Sequence, residues 1–405
     1  MRRLHFGIGI LALPALVPAI LLGACNAGTA TDPLANVPGA SRVDGYSIPQ
    51  WQAQNLAHRA CPQAGPREVQ CELLIMNKSP RDKEPGWGAR DIEAAYNLPS
   101  SSKGSGEIVA IVDAHDNPHV ASDLAVYRRH YGLPKAKFYK YNQDGQQSHY
   151  PKGNVDWGDE IDIDVEMVSA SCPNCTIYLI EANTFDGANF NKAEAEAVKL
   201  GAHIISNSLT CGMSTCPPTT FDTPGVTYVA AAGDNGYSVM APAGFATVVA
   251  VGGTILSKSG SIYNEVVWPD TGGGCAPQFV KPSWQHDPSC AGRTANDVAA
   301  VAWNVAEYDT YGEAGWFDVS GTSIATPIVA GAFALAGNAD KQDGGKIFWT
   351  LSKKKLQKDL HVIGSGNNGC PPRLRGSYLC TAGTNEFGTY SGPTGWGTPN
   401  GIDAF

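Results

Sequence analysis

The amino-acid sequence predicts an α/β protein built on a doubly wound, mainly parallel sheet flanked by helices. A continuous apolar run over 107–113 is typical of a strand buried on both faces. Further apolar runs alternate with helix-like stretches, the order found in parallel sheets. Polar side chains such as Asp113 and Asn207 lie at the ends of these runs. We therefore expect a functional site at the carboxyl ends of the strands.

The expected elements follow one another from residue 86 onwards. Helical spacing of apolar residues predicts helices over 91–96, 119–131 and 190–200. Apolar, β-branched runs predict strands over 107–113, 176–181, 203–208, 226–231, 246–251 and 297–303. An apolar stretch over 328–337 predicts the helix that follows the last of these strands.

The composition limits the classes of function. The chain has 405 residues, 43% of them hydrophobic, which is enough for one large domain or two smaller ones. Only 17% are charged and the net charge is -9, which argues against nucleic-acid binding and suits an exported protein rich in turns.

The first residues have the pattern of an export signal. Two arginines precede an apolar run over 6–24 that contains two prolines, so we predict a signal peptide at 1–24. A membrane-spanning helix is the alternative, which the short run and its prolines disfavour. Leu22–Cys25 resembles a bacterial lipobox, so a lipid anchor at Cys25 and ordinary secretion both stay open. Either way we expect an exported protein, secreted or lipid-anchored to the bacterial cell envelope.

Residues 25–85 are polar and show no clear period, so we interpret them as a short N-terminal segment or linker. With Cys25 set aside, the other ten of the eleven cysteines fall into neighbouring pairs. The pairs are Cys61 with Cys71, Cys172 with Cys175, Cys211 with Cys216, Cys275 with Cys290, and Cys370 with Cys380. An even set in an exported protein indicates disulfides, although sequence does not fix their connectivity. Cys172–Cys175 could be a redox motif, but its flanking elements favour a structural bridge.

The stretch Ser320–Pro327 carries the candidate nucleophile. A small-residue turn leads into a helix whose Pro327 fits a first helical turn. Ser323 would lie near the positive end of that helix, where backbone donors and the dipole can stabilise an oxyanion. The alternative is that this serine or threonine only caps the helix.

A second stretch, Trp157–Glu166, alternates acidic and apolar residues. Alternation allows a strand with one charged face, whereas the spacing of the apolar residues also fits a helix. On a helix, Glu160 and Asp164 would share one face. Two close carboxyls share protons unevenly, which gives a base that works at lower pH than histidine. A solvated acidic face is the alternative.

Several motifs in one order resemble the sedolisin family of serine-carboxyl peptidases, and the resemblance runs from about Gly86 to Phe405. The motifs are Gly86-Trp87, Ala94–Pro99, Ile111–Ala114, Glu160 with Asp164, Ser206–Ser208, Ala232–Gly236, Val251–Thr254, Lys281–Gln285, and Gly321–Ser323 with Pro327. The resemblance implies a subtilisin-like fold for a peptidase domain over 86–405. It also implies protein or peptide substrates, and we expect a monomer.

The resemblance implies a role for each of four residues. Ser323 corresponds to the nucleophile, Glu160 to the base, Asp164 to the acid that orients the base, and Asp234 to the oxyanion-site carboxyl. Because an Asp donates to an oxyanion only while protonated, these roles predict an acid pH optimum. Without the resemblance, Asp234 would be read as a turn residue.

A subtilisin-type mechanism is the competing enzyme class. It needs a His-Gly pair for the base, and none of the nine histidines is followed by Gly. His115 and His119 lie near Asp113 and Asp116, a grouping that could be a metal cluster or a displaced base. We favour an ordinary loop, because no His-Glu-x-x-His pattern is present.

The resemblance also implies a calcium site near the C-terminus. Asp359 matches one of its two aspartates, and Ser391 stands at the position of the second. Losing a carboxylate weakens a calcium site, so we expect a weakened site that still binds calcium.

Residues 25–85 are too few for the long inhibitory domain that family members usually carry. Either inhibition comes from elsewhere, or this segment with Cys61 and Cys71 clips onto the catalytic domain. We expect an exported endopeptidase acting at acid pH. A catalytically inactive binding or scaffold protein of the same fold is the alternative.

Overall fold

The computed structural model describes residues 54–77 and 86–405, together with 42–43, 46–47 and 52. All of them belong to one compact unit, Ala40–Phe405. The expected signal peptide and Cys25 lie outside the described residues. Within the described part of the chain, no helix is both long and apolar enough to cross a membrane.

Seven α-helices are described, numbered here in chain order. They are α1 (Ala89–Ala95), α2 (Val120–Tyr131), α3 (Val155–Ser171), α4 (Gly187–Lys199), α5 (Thr322–Ala336), α6 (Lys346–Thr350) and α7 (Lys353–Asp359). Helix α4 begins three residues before the expected start because Asp186 caps it, its Oδ1 accepting from Ala188 N at 2.9 Å.

The strands are also numbered in chain order. They are β1 (Arg42–Val43), β2 (Tyr46–Ser47), β3 (Ala57–Arg59), β4 (Gln70–Cys71), β5 (Leu74–Met76), β6 (Ile108–Ala114), β7 (Lys137–Asn142), β8 (Thr176–Ala182), β9 (Ile204–Asn207), β10 (Leu209–Thr210), β11 (Thr227–Ala231), β12 (Val248–Ser259), β13 (Ile262–Val267), β14 (Gly274–Ala276), β15 (Arg293–Ala295), β16 (Val298–Val301), β17 (Val305–Asp309), β18 (Gly315–Ser320), β19 (Leu360–His361) and β20 (Thr398–Pro399).

The central sheet has eight strands in the order β13, β12, β11, β9, β6, β8, β7, with β16 also paired to β12. All its pairings are parallel except that of β13, which runs antiparallel to β12. The long β12 and β13 form an antiparallel hairpin beyond the expected strand over 246–251. This architecture confirms the predicted α/β class.

Helices α3 and α5 pack against each other and bring the two candidate stretches together. The acidic stretch is helical, so the strand interpretation is wrong. Asn154 begins this helix, its side chain accepting from Trp157 N at 3.1 Å. Every residue from Trp157 to Ser171 is buried, so the acidic residues do not form a solvated face.

Residues 54–77 of the N-terminal segment are part of the folded body. Strands β3 and β5 extend an antiparallel sheet with β17 and β18, and β4 pairs with β10. This packing favours a segment that clips onto the catalytic domain over a linker. The five expected cysteine pairs all form disulfides: Cys61–Cys71, Cys172–Cys175, Cys211–Cys216, Cys275–Cys290 and Cys370–Cys380.

Candidate active site

Helix α3 holds the candidate base and its partner acid. Glu160 and Asp164 are four residues apart, so both lie on one helix face, and both are fully buried. The Ser208 hydroxyl, just after β9, donates to Asp164 Oδ1 at 2.7 Å. This bond fixes the Asp164 carboxyl beside the carboxyl end of the sheet.

Ser323 is the second residue of α5, where the N-terminal end of the helix meets the sheet. Gly321 precedes the helix with φ 144°, and a Cβ there would lie 2.2 Å from the Glu72 carbonyl oxygen, so the turn requires glycine. The Ser323 hydroxyl donates to the Ser208 carbonyl oxygen at 3.2 Å. It must therefore rotate before it can pass a proton to Glu160.

Buried carboxyls around Glu160 make a proton-sharing cluster. Burial, then the charges of Asp164 and Asp113, raise the pKa of Glu160 well above its ordinary value, while the nearby hydroxyl of Ser323 opposes the rise. Burial, then the charge of Asp113, likewise raises the pKa of Asp164. Burial raises the pKa of Asp113 to about 7. In acid, these three carboxyls retain protons that isolated carboxyls would lose.

Asp234 lies after β11, at the neighbouring strand end, and is fully buried. Its Oδ1 accepts from both Thr322 N and Thr322 Oγ1 at 2.9 Å. Burial, then the charge of Glu72, raise the pKa of Asp234 well above its ordinary value, against the hydrogen bonds from Thr322. A protonated Asp234 can act as a hydrogen-bond donor beside the start of α5.

One buried residue of the site comes from the N-terminal segment and was missed by sequence reasoning. Glu72 Oε1 accepts from Thr210 Oγ1 at 2.5 Å, and its Oε2 accepts from Asp234 N at 3.1 Å. Burial raises the pKa of Glu72, opposed by Arg59, whose Nη1 is 3.7 Å from Oε2. The one sequence signal that could have pointed to Glu72 is its position next to Cys71.

The two histidines weighed as a displaced base make other contacts. The ring of His119 lies 3.1 Å from Thr310 Oγ1 and packs on Tyr311, while His115 packs on Phe185. Over the described ranges, neither histidine belongs to a group of ligand atoms that could hold a metal. This placement agrees with the ordinary-loop interpretation.

The residues at the expected calcium site do not fit a calcium ion. Both oxygens of Asp359 face ammonium groups, at 2.7 Å from Lys355 Nζ and 3.0 Å from Lys358 Nζ. Although its burial acts to raise it, the pKa of Asp359 is lowered by these two lysines. The Ser391 hydroxyl pairs with Thr394 Oγ1 at 2.8 Å. Two cations beside the sole expected carboxylate would repel a third.

The comparisons with known proteins agree with this geometry. The sequence pattern of the subtilase family matches residues 143–396, a range that contains the four candidate residues. Kumamolisin from Bacillus sp. (strain MN-32) is 29% identical over 351 residues, covering 77% of this chain and 62% of that protein. Sedolisin from Pseudomonas sp. (strain 101) is 31% identical over 188 residues, covering 40% of this chain and 29% of that protein.

A rat tripeptidyl-peptidase 1 is 28% identical over 204 residues, covering 44% of this chain and 36% of that protein. The chain thus spans less than two thirds of the length of these curated relatives. A solved Pseudomonas sedolisin, complexed with pseudo-iodotyrostatin, shares the fold with a TM-score of 0.67 at 24% identity, covering 78% of this chain and 96% of that chain. Together these matches confirm the resemblance to the sedolisin family.

Proposed function

This chain belongs to the subtilase family, and on that basis we propose that it is a serine-carboxyl peptidase of the sedolisin kind that hydrolyses peptide bonds at acid pH. The observation that carries the proposal is the meeting of Ser323 with the buried pair Glu160 and Asp164. A carboxylate beside the serine can act as its base, so the reaction does not need the histidine that subtilisin-type peptidases use.

The proposed reaction begins with attack of Ser323 Oγ on the peptide carbonyl carbon. Glu160 accepts the hydroxyl proton as the bond forms, and Asp164 holds and tunes Glu160 through their shared protons. Asp234, protonated, donates to the developing oxyanion. Glu160 then returns the proton to the leaving amine, and water releases the acyl group by the same steps.

The pH dependence follows from two opposite requirements. Glu160 must be ionised to accept a proton, whereas Asp234 must be protonated to donate one. Burial raises the pKa of both groups, so their different partners decide the working range. At Glu160 the charges of Asp164 and Asp113 raise the pKa further and Ser323 lowers it, and at Asp234 the charge of Glu72 raises the pKa further and the hydrogen bonds from Thr322 lower it. The enzyme works in the pH interval where Glu160 is ionised while Asp234 stays protonated.

We assign an endopeptidase mode, with removal of N-terminal tripeptides as the second candidate because of the tripeptidyl-peptidase match. Casein hydrolysis between pH 3 and 8, with products measured by mass spectrometry, tests both. An endopeptidase gives internal fragments of mixed length, and a tripeptidyl-peptidase gives tripeptides. Acid activity that persists in Ser323→Ala would overturn the proposed nucleophile. No acid activity in the wild type would overturn the proposal in favour of an inactive scaffold.

Export is the remaining part of the proposed function. The pattern over 1–24 supports a signal peptide, and the sequence before Cys25 supports a lipid anchor. Cell fractionation of the wild type and Cys25→Ala distinguishes the two routes. A lipid anchor predicts a membrane-bound wild type and a released variant, and secretion predicts two released proteins.

A further inference from the structure

Residues 67–72, which include the strand β4, run past the candidate site between two chain edges. On one side, Gln70 and Cys71 pair antiparallel with Thr210 and Leu209, immediately after Ser208. On the other side, Val69 N donates to Phe185 O at 2.9 Å, and Gly187 N donates to Arg67 O at 3.0 Å. A peptide that binds by strand addition makes main-chain bonds of this kind.

The main chain of Glu72 is held by the two residues beside the candidate nucleophile. Its N–H donates to Ser208 O at 3.2 Å, and its carbonyl oxygen accepts from Ser323 N at 3.1 Å. The backbone N–H of a serine nucleophile is the kind of donor that polarises a scissile carbonyl. The Glu72 carbonyl therefore stands where the reacting carbonyl of a peptide would bind.

The side chain of Glu72 fills a buried polar pocket. Thr210 Oγ1 and Asp234 N donate to its two oxygens, and Gly233 lines one wall, where an added Cβ would lie 3.8 Å from Glu72 Oε1. Glu72 itself is fully buried. The donors fix a long side chain that ends in a carboxyl group.

The strand is fastened at both ends. Before Glu72, the Cys61–Cys71 disulfide joins two cysteines that are 10 residues apart in the sequence. After it, Leu74 and Ile75 pair with Ser320 and Val319 in the sheet that leads into the nucleophile turn. Because separate contacts hold each end, residues 67–72 cannot leave the cleft when only one end detaches.

We propose that residues 67–72 occupy the peptide-binding cleft in the register of a substrate. Glu72 is the residue whose carbonyl faces Ser323, and the segment is a built-in competitor of peptides. The pocket around its side chain selects glutamate at the same position of an added peptide. Competition with substrates rests on the proposed function, whereas the occupancy of the cleft by residues 67–72 does not.

The test measures binding without turnover, in the full chain carrying Ser323→Ala. The probe is a fluorescent heptapeptide that copies residues 67–73 with serine in place of Cys71, and the readout is its anisotropy at pH 4 and pH 6. Two further backgrounds loosen the segment: Cys61→Ser with Cys71→Ser, and Val69→Pro, which removes the N–H bonded to Phe185. The matched control is Cys172→Ser with Cys175→Ser, at the far end of α3.

We expect the affinity to rise by roughly tenfold or more in both loosened backgrounds, because occupancy lowers the binding-competent fraction. The control should leave it unchanged. A probe with alanine in place of the glutamate that copies Glu72, and with the glutamate that copies Glu68 kept, should bind more weakly by about tenfold, the size of one lost charged hydrogen bond. Thermal unfolding of each variant verifies the fold.

Equal affinity in all four backgrounds would overturn the inference, whatever the peptidase assay gives. Improved binding in the loosened backgrounds, with no hydrolysis by the wild type or by a loosened chain that keeps Ser323, would reject the proposed function and leave the cleft assignment standing. Equal binding of the glutamate and alanine probes would reject the pocket's selectivity.

Discussion

Helix α3 carries buried carboxyl groups on two sides, and the two sets differ in what they face. Glu160 and Asp164 face the hydroxyls of Ser323 and Ser208. Asp162 Oδ2 accepts from Asn117 Nδ2 at 2.6 Å and Glu166 Oε2 accepts from Tyr308 N at 3.2 Å, and both lie beside acids of β17 and α2. Neither of these donors is a serine hydroxyl that could act as a nucleophile. Only the first set is therefore placed to accept a proton from a reacting serine.

Asp159, Asp162 and Glu166 of α3, together with Asp123 of α2 and Glu307 of β17, form a group that we call the acidic core, and burial raises the pKa of each. Burial, then the charges of Asp309 and Glu313, raise the pKa of Asp159 to about 8. Burial, then a hydrogen bond with Asp309, raises the pKa of Asp162 well above its ordinary value. Protonated, these groups are neutral and tolerate burial. The fold and the proposed reaction thus both favour acid.

The largest expected effect is a difference in kcat between substitutions on the two sides of α3. Glu160→Gln removes the proposed base and should lower kcat by about 10³-fold or more. Asp162→Asn keeps a polar group of the same shape on the other side and should change kcat by less than about threefold. Casein hydrolysis at pH 4 measures both. Equal losses in the two variants would break the distinction between them.

The next effect concerns the free energy of unfolding of the wild type as a function of pH. A carboxyl whose pKa is raised in the folded state binds its proton more tightly there, so its stabilisation is complete below the unfolded value. This stabilisation is lost as the pH rises from the pKa of the unfolded state to that of the folded state, from about 4 to about 8 for Asp159. Each unit of raised pKa is worth about 1.4 kcal/mol.

Urea unfolding at pH 4, 6 and 8 should therefore show stability falling as the pH rises. Glu307→Gln should make the dependence shallower, because an amide cannot ionise, whereas substitution of the exposed Asp343 should not. Stability that increases from pH 4 to pH 8 would contradict a protonated acidic core.

The smallest expected effect concerns calcium. Because two lysines already pair with Asp359, a chelator should leave the melting temperature unchanged, and added calcium should not raise it. Differential scanning calorimetry with and without chelator measures this. Removing one ammonium by Lys355→Met sharpens the result, since any calcium affinity should then grow. A large chelator effect on the wild type would restore the site implied by the resemblance.

Local patterns predicted the sheet and the placement of Ser323 and Asp234, because buried strands and the turns after them depend on neighbouring residues. The acidic stretch stayed open, since alternating acids fit both a period of two and a helix. Its burial was not predictable, because the hydrogen-bonding partners come from distant strands. Glu72 was not predicted for the same reason, because its hydrogen-bonding partner Thr210 is 138 residues away in the sequence. The segment around Glu72 also has no periodic pattern that would indicate a site.

Because residues 67–72 are covalently joined to the rest of the chain, they compete with a free peptide at a fixed effective concentration. A segment joined to the cleft by a short chain acts at an effective concentration that depends on the length and stiffness of the connection, on the order of millimolar for short flexible tethers. The Cys61–Cys71 loop is shorter and stiffer than such a tether. A free peptide of equal intrinsic affinity must therefore exceed about a millimolar before it fills half of the clefts.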